Sequence, residues 1–408
     1  MEYLHLFKTK TEHDSFYGGN KYKEPWLAYT RDNTLVTGNK SYDYYRNEYL
    51  TLSALEDGQI EISISSDLGS SNATYLSYSK DKSVWEKTDI NGKNQTITIP
   101  VFSGDNVYLK GEAKQWSYRG GYMNISSTTN FIASGNIMSL LYGDNFKDNV
   151  KFTEGSNSNF AQLFQDNVHL INAENLILPA TTLAESCYQL MFSGCSSLTT
   201  APELPATTLA DYCYSDMFSG CTSLTTAPEL PAATLKLNCY YGMFQGCSSL
   251  KAAPALPATT LAQYCYSSMF SGCTSLTKTP KLPATELTIG CYDSMFNGCS
   301  SLTTAPELPA TELAQRCYCY MFQNCTSLEA APALPAATLA IYCYNGMFKD
   351  CSKLNNITML ATDISANGCL KNWVSGVAST GTFTKATSMT SLPSGVSGIP
   401  SGWTLLNK

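Results

Sequence analysis

All 16 cysteines of this 408-residue chain lie between Cys187 and Cys369, and all but one fall on a single grid. One series runs Cys187, Cys213, Cys239, Cys265, Cys291, Cys317, Cys343 and Cys369 with a step of 26 residues. A second, Cys195, Cys221, Cys247, Cys273, Cys299, Cys325 and Cys351, keeps the same step, and Cys319 alone is off the grid. A fixed period of this size describes one supersecondary unit repeated, and such units bury a core only by stacking on their neighbours.

The unit reads Cys-Tyr-x-x-Met-Phe-x-Gly-Cys-x-Ser-Leu-Thr-x-Ala-Pro-x-Leu-Pro-Ala-Thr-x-Leu-Ala-x-x. A degenerate copy precedes it, with Phe164, Leu170, Leu178 and Pro179 at the expected types and two extra residues between Leu170 and Leu178. Leu209, Cys213, Met217 and Cys221 recur at i+4, so the spacing predicts a short helix. Thr207 is its expected N-cap, and Glu286 or Glu312 falls in the first turn of two rungs. Its stop is the position occupied by Gly194, Gly220, Gly246, Gly272, Gly298, Asn324 and Asp350, all residue types that tolerate the left-handed conformation. Pro228 and Pro231 recur in nearly every rung and leave only 223–227 for a strand. The stack is therefore expected to be one continuous right-handed solenoid.

The core Phe218-Ser219-Gly220-Cys221-Thr222-Ser223-Leu224 resembles the rung of BspA-like leucine-rich repeats, and the resemblance covers residues 160–375. It implies an α/β leucine-rich-repeat solenoid of 26-residue rungs with short parallel strands plus short helices.

Outside the array the period changes. Ile60, Ile62 and Ile64 alternate, as do Ile97, Ile99 and Val101, then Val107 and Leu109. Glu56-Asp57-Gly58, Asn91-Gly92 and Ser103-Gly104-Asp105 separate these runs, so residues 45–145 are read as a small all-β sandwich. Ser79-Lys80-Asp81-Lys82-Ser83-Val84-Trp85 resembles an Asp-box hairpin without its glycine and one residue short, and is read as a hairpin turn. Residues 1–44 form an N-terminal arm, 146–375 the solenoid, and 376–408 a C-terminal cap with Trp373, Phe383 and Trp403 as packing residues. The opening Glu2-Tyr3-Leu4-His5-Leu6-Phe7 and the Tyr22-x-Glu24-Pro25-Trp26 stretch are similar to the start of tail-associated virion proteins of Bacteroides-type phages. That resemblance implies attachment to a particle, through Tyr3, Phe7, Tyr22, Trp26 and Tyr29, aromatics of the kind favoured at protein interfaces.

Little in the chain suggests chemistry. The three histidines, His5, His13 and His169, lie outside the regular rungs, and no nucleophile, metal or phosphate-loop motif is present. Cysteines eight apart do not have zinc spacing, so the thiols are expected to be reduced core residues, with no catalytic residue, metal or cofactor. Lys+Arg number 26 against 33 Asp+Glu, a net charge of −7, which argues against nucleic acid as a partner. No run is long and apolar enough for a membrane span. The first residues lack a cleavable leader, so the chain is expected to reach its place by assembly or lysis, unless a leader has been removed.

Charged residues are only 14%, whereas Ser, Thr and the 26 tyrosines are plentiful, a mixture suited to recognition surfaces. Thr199, Thr225, Lys251, Thr277, Thr303 and Glu329 occupy one outward position that varies between rungs while the core positions do not. They are the expected ligand-binding face. The function expected is a non-enzymatic recognition or structural protein on a phage virion, tail- or fibre-associated and assembled in the host cytoplasm. A bacterial cell-surface adhesin of the BspA type is the alternative, and a glycan-acting enzyme a distant one. The expected partners are a protein or surface-glycan ligand and other virion or surface proteins, with homo-oligomerisation left open.

Overall fold

The computed structural model describes residues 27–29, 35–37, 42–68, 71–118 and 121–408. A short hairpin pairs β1 (Leu27–Tyr29) with β2 (Leu35–Thr37), and helix α1 (Tyr42–Arg46) leads into the β region. That region contains β3 (Leu50–Ala54), β4 (Gly58–Ile64), β5 (Ala73–Ser79), β6 (Glu86–Asp89), β7 (Gln95–Val101), β8 (Asn106–Ala113), β9 (Ser117–Tyr118), β10 (Gly121–Ser127) and β11 (Phe131–Asn136). One sheet has the order β7-β4-β10-β9 and is antiparallel. The alternating isoleucines meet across it, Ile60 opposite Ile99 and Ile62 opposite Ile97. The second sheet runs β11-β3-β8-β5-β6 and continues past β11 into β12 (Leu170–Asn172) and β13 (Leu176–Ile177), both parallel to it. The three turn clusters read from the sequence carry the chain from one sheet to the other. The Asp81 segment is the β5–β6 turn, where Asp81 accepts bonds from the N–H groups of Ser83 and Val84.

The rungs contain no helix, and this corrects the expected α/β composition. Among the described residues from 178 to 355 no helix or strand forms. Each rung is instead a run of overlapping tight turns. Gln189 N–H donates to Ser186 O, Met191 to Tyr188, Ser193 to Leu190 and Cys195 to Phe192, all three residues back. The intervening N–H groups leave the rung. Tyr188 donates to Cys213 O at 3.0 Å, Leu190 to Ser215 O at 2.9 Å, Phe192 to Met217 O at 2.9 Å and Gly194 to Ser219 O at 2.7 Å. Ser186, Leu190 and Gly194 have φ of 53°, 58° and 77°, so every fourth residue is left-handed and an α-helix is excluded. The left-handed backbone expected at Gly220, Asn324 and Asp350 is present, at φ 75°, 62° and 61°, but it closes a turn and not a helix.

The expected strand is likewise reduced. Neighbouring rungs touch along that edge through single parallel bridges, such as Ala252 to Lys278 and Thr304 to Ala330. Past the last regular rung the bridges widen into a parallel sheet, in which β14 (Asn356–Met359), β15 (Thr382–Lys385) and β16 (Thr404–Asn407) pair in order.

The interior explains why the turns hold. Cys213, Tyr214, Met217, Phe218, Cys221 and Leu224, and their equivalents in the other regular rungs, are completely or almost completely buried. The phenylalanines stack from Phe164–Phe192 at 5.5 Å to Phe322–Phe348 at 5.7 Å, and the tyrosines form a second column from Tyr188 to Tyr344. Phe164 stacks on Phe192 although 28 residues separate them, so the two extra residues of the degenerate copy lie outside its aromatic core. Trp373 ends both columns, 6.4 Å from Tyr344 and 6.0 Å from Phe348.

The two cysteine series play different parts. Cys221 Sγ donates to Phe192 O of the preceding rung at 3.1 Å, a carbonyl that also accepts the N–H of its own turn from Cys195. Cys195, Cys247, Cys273, Cys299, Cys325 and Cys351 repeat the contact at 2.9–3.1 Å. Each thiol thus gives its weak S–H donor to the second lone pair of a buried carbonyl that a turn N–H already occupies once.

Both ends of the turn ladder are met by other elements. Ile125 N–H of β10 donates to Leu163 O and Trp116 N–H to Asn159 O, so the β region takes the place of a preceding rung. Asn167 Nδ2 returns a bond to Ile125 O. At the far end Val374 N–H donates to Val396 O and Trp373 Nε1 to Gly398 O. One continuous apolar cluster runs from Leu50 to Trp403.

Two outcomes test this interior. Burial pushes the thiols of Cys273, Cys291, Cys325 and Cys343 up to about 12 from an ordinary value of 9.0. Because the folded thiols stay neutral while unfolded ones ionise, their contribution is complete below about pH 8.5 and is lost as pH rises. The thermal midpoint should hold up to about pH 8.5 and fall steeply above it, towards pH 12, and alkylating reagents should leave the native thiols unmodified; an unchanged midpoint or rapid labelling refutes the account. Trp373→Ala should cost about 3–5 kcal/mol in urea unfolding. Hydrogen exchange should speed up in the rungs around Tyr344 and Phe348 and stay unchanged around Phe192; uniform acceleration along the stack would contradict a terminal role.

Candidate functional site

Between two buried leucines, such as Leu198 and Leu204, each rung runs extended across the surface. Pro202 and Pro205, with their equivalents, supply no N–H here, which is why the rungs meet at isolated points along this edge. The exposed side chains of this stretch form columns, one residue per rung. Thr199, Thr225, Lys251, Thr277, Thr303 and Glu329 are all exposed. Backbone bonds along this edge join one rung to the next: Thr199 N–H donates to Ile171 O at 2.9 Å, Thr277 to Lys251 O at 3.1 Å and Asn355 to Glu329 O at 3.0 Å. The threonine hydroxyls of Thr199 and Thr277 donate to the same carbonyls. A second column holds Thr200, Thr226, Ala252, Lys278, Thr304 and Ala330, and a third Glu203, Glu229, Ala255, Lys281, Glu307 and Ala333.

Charge changes sign along this face. Lys251, Lys278 and Lys281 sit on adjacent rungs, with Glu229 towards the N-terminal end and Glu307 and Glu329 towards the other. None of the three lysines is in an ion pair among the described residues. Two open depressions of about 360 and 470 Å³ lie away from this face, one lined by Tyr78, Asp81 and Glu86 and the other by Phe152, Leu183 and Glu185.

The opposite, turn-ladder side holds arrangements that sequence reasoning did not find. Arg316 Nε and Nη2 grip one oxygen of Asp293 at 3.0 and 2.7 Å, joining adjacent rungs. Cys319, the thiol off the grid, is buried beside this pair and is pushed up to about 12, chiefly by that burial. Tyr264, Tyr320 and Tyr342 each place a ring where a Cβ of Gly290, Gly346 and Gly368 in the next rung would stand. Those glycines also have φ near 60°, so both backbone and neighbour demand them. The signal was available: a tyrosine followed 26 residues later by glycine.

On the outer face of the larger sheet, Lys110 Nζ lies 4.1 Å from the Trp85 ring centre and bonds Asp144 at 2.8 Å. Tyr49 donates to Asp144 at 2.7 Å, and burial together with that carboxylate pushes its hydroxyl up to about 12. These partners are too distant in the chain for spacing to reveal them. Of the expected attachment residues, Tyr3, Phe7, Tyr22 and Trp26 lie outside the described residues, and Tyr29 is described only as the backbone end of β1.

Among the described residues no group of three or more His, Cys, Asp or Glu is placed to hold a metal. No described helix is long and apolar enough to cross a membrane.

The BspA type leucine rich repeat region matches this chain in 6 copies, over residues 162–303 and 263–373, together just over half of its length. Comparison with curated proteins and with solved structures returns no match. The protein is a repeat protein with an N-terminal all-β region, and it belongs to the BspA-type leucine-rich repeat family.

Proposed function

We propose that this protein is a non-enzymatic recognition protein that presents the exposed edge of its array to a protein or surface-glycan ligand. The observation that carries this reading is the contrast between columns. Cys, Tyr, Met, Phe and Leu repeat in the core, while the exposed position carries Thr199, Thr225, Lys251, Thr277, Thr303 and Glu329. A stack of rungs closing into one continuous solenoid would hold that column at fixed spacing, so that weak contacts to an extended ligand add along the row. Membership of the BspA-type family supports a binding or adhesin role.

Residues 1–44 then mount the array on a phage virion as a tail- or fibre-associated component, with the ligand on the host cell. What supports this is the aromatic opening of the chain, Tyr3, Phe7, Tyr22, Trp26 and Tyr29. The second reading, a bacterial cell-surface adhesin, is favoured by the family itself, whose arrays act in adhesion.

Two experiments test the reading. Reversing Lys251→Glu and Glu329→Lys together should weaken binding of the labelled protein to its target cells about tenfold, roughly 1.4 kcal/mol, without moving the thermal midpoint. Equal binding would move the site off this edge. Deleting residues 1–40 should leave a folded remainder that still binds cells but no longer co-purifies with its particle. An unfolded or aggregated remainder would make the segment part of the β region's core and end the attachment reading.

A further inference from the structure

Four asparagines of this chain precede a glycine, Asn91, Asn297, Asn345 and Asn367, and the fold holds one of them differently from the rest. In the array the peptide joining each pair is clamped. Asn297 O accepts Gly272 N–H at 2.7 Å, and Gly298 N–H donates to Gln323 O at 2.7 Å. Asn345 repeats this, accepting Tyr320 N–H at 2.8 Å while Gly346 N–H donates to Lys371 O at 2.9 Å. At Asn367 the carbonyl accepts Tyr342 N–H at 3.1 Å, and the Tyr342 ring lies against Gly368.

Asn91 and Gly92 lie between β6 and β7, where the chain crosses from the larger sheet to the smaller, and both are exposed. Among the described residues neither Asn91 O nor Gly92 N–H makes a backbone hydrogen bond. Gly92 has φ 71°, with open space where a Cβ would stand. The Asn91 side chain bends forward over this free peptide, because its Oδ1 accepts Lys93 N–H at 3.1 Å in an Asx turn. That bond curls the carboxamide towards the Gly92 nitrogen and draws electron density from its carbon.

We infer that Asn91 is a site of spontaneous covalent modification through a succinimide. The Gly92 nitrogen attacks Cγ of Asn91 and closes a five-membered ring. The carboxamide C–N bond breaks, and its nitrogen leaves as ammonia with the proton that Gly92 gives up. Water then opens the ring at either carbonyl. Opening at Cγ leaves an aspartate in the ordinary chain. Opening at the backbone carbonyl leaves an isoaspartate, whose chain runs through the former side chain and is one carbon longer. Ring closure requires the Gly92 nitrogen to swing towards Cγ, which is open to a peptide bonded only to water and closed to one held by neighbouring rungs. Either product adds one negative charge to a chain of net charge −7. All four residues between the buried Ile90 and the start of β7 at Gln95 are exposed, so the change stays in the turn.

Peptide mapping by mass spectrometry of the full native chain, held in a mildly alkaline buffer, tests this. Methyl transfer from labelled S-adenosylmethionine by an isoaspartyl methyltransferase is the second readout. The Asn91 peptide should change from amide to acid at least about tenfold faster than those carrying Asn297, Asn345 and Asn367, which must first open their rungs. In urea, with the clamps gone, all four should convert at comparable rates. Asn91→Gln should abolish the methyl labelling of the native chain and leave its unfolding midpoint in place, since the turn is exposed. Native Asn91 converting no faster than the array sites overturns the proposal, as does a ranking that persists unchanged in urea. Labelling that survives in Asn91→Gln overturns it as well.

Discussion

The hydrogen bond from alternate N–H groups of one rung to the carbonyls of the next is the interaction on which the array depends. It cannot form within a single rung. The N–H of Tyr214 reaches Cys239 O, and that of Phe218 reaches Met243 O, so half of each turn ladder is satisfied only by a neighbour. The remaining N–H groups close local turns, and those turns require a left-handed residue every fourth position, Tyr212 and Asp216 among them. Holding a tyrosine or an aspartate in that conformation is unfavourable in an isolated peptide. It is offset here by stacked aromatics, buried thiols and the inter-rung bonds together. Secondary structure and stacking are therefore one event, with no preformed helix to dock.

That dependence also explains the ends. A first rung without donors in front of it, or a last one without acceptors behind it, would leave a row of buried polar groups unmet. The β region answers at one end through Trp116 and Ile125, whose N–H groups donate as a rung's would. Trp373 answers at the other, because one indole covers both the tyrosine and the phenylalanine column and still bonds Gly398 O. The all-β region is thus both a separate pair of sheets and the cap of the array, and the apolar cluster crosses from one to the other without a break.

How much of this was legible in the sequence depends on whether the signal was local. The cysteine grid announced the rungs and the buried positions, and Phe164, Leu170 and Leu178 the degenerate first copy, because stacking makes equivalent residues share one environment. Glycine, asparagine and aspartate at the position of Gly220 announced a left-handed backbone. The helix was misread for a specific reason. Leu209, Cys213, Met217 and Cys221 repeat every four residues, and a helix repeats every 3.6. A strict period of four drifts around a helix but stays in line along successive turns, so the unvarying spacing was itself the sign of turns. The exposed column was legible as a column because it varies. Arg316 with Asp293, and Lys110 with Trp85 and Asp144, were not, since each joins residues that no period relates.

The equivalence of the rungs has a consequence for how such a gene can change. A loss or gain of 26 codons anywhere within the array returns every cysteine, ring and left-handed turn to its column, because each rung contacts only its neighbours. The same event of 25 codons would put Tyr under Cys and Phe under Met and break the ladder at that point. Recombination between repeats therefore yields folded proteins only in whole rungs, and each such step lengthens or shortens the exposed edge by one row while leaving both caps in place. The array is built so that its reach can be altered without redesigning its core.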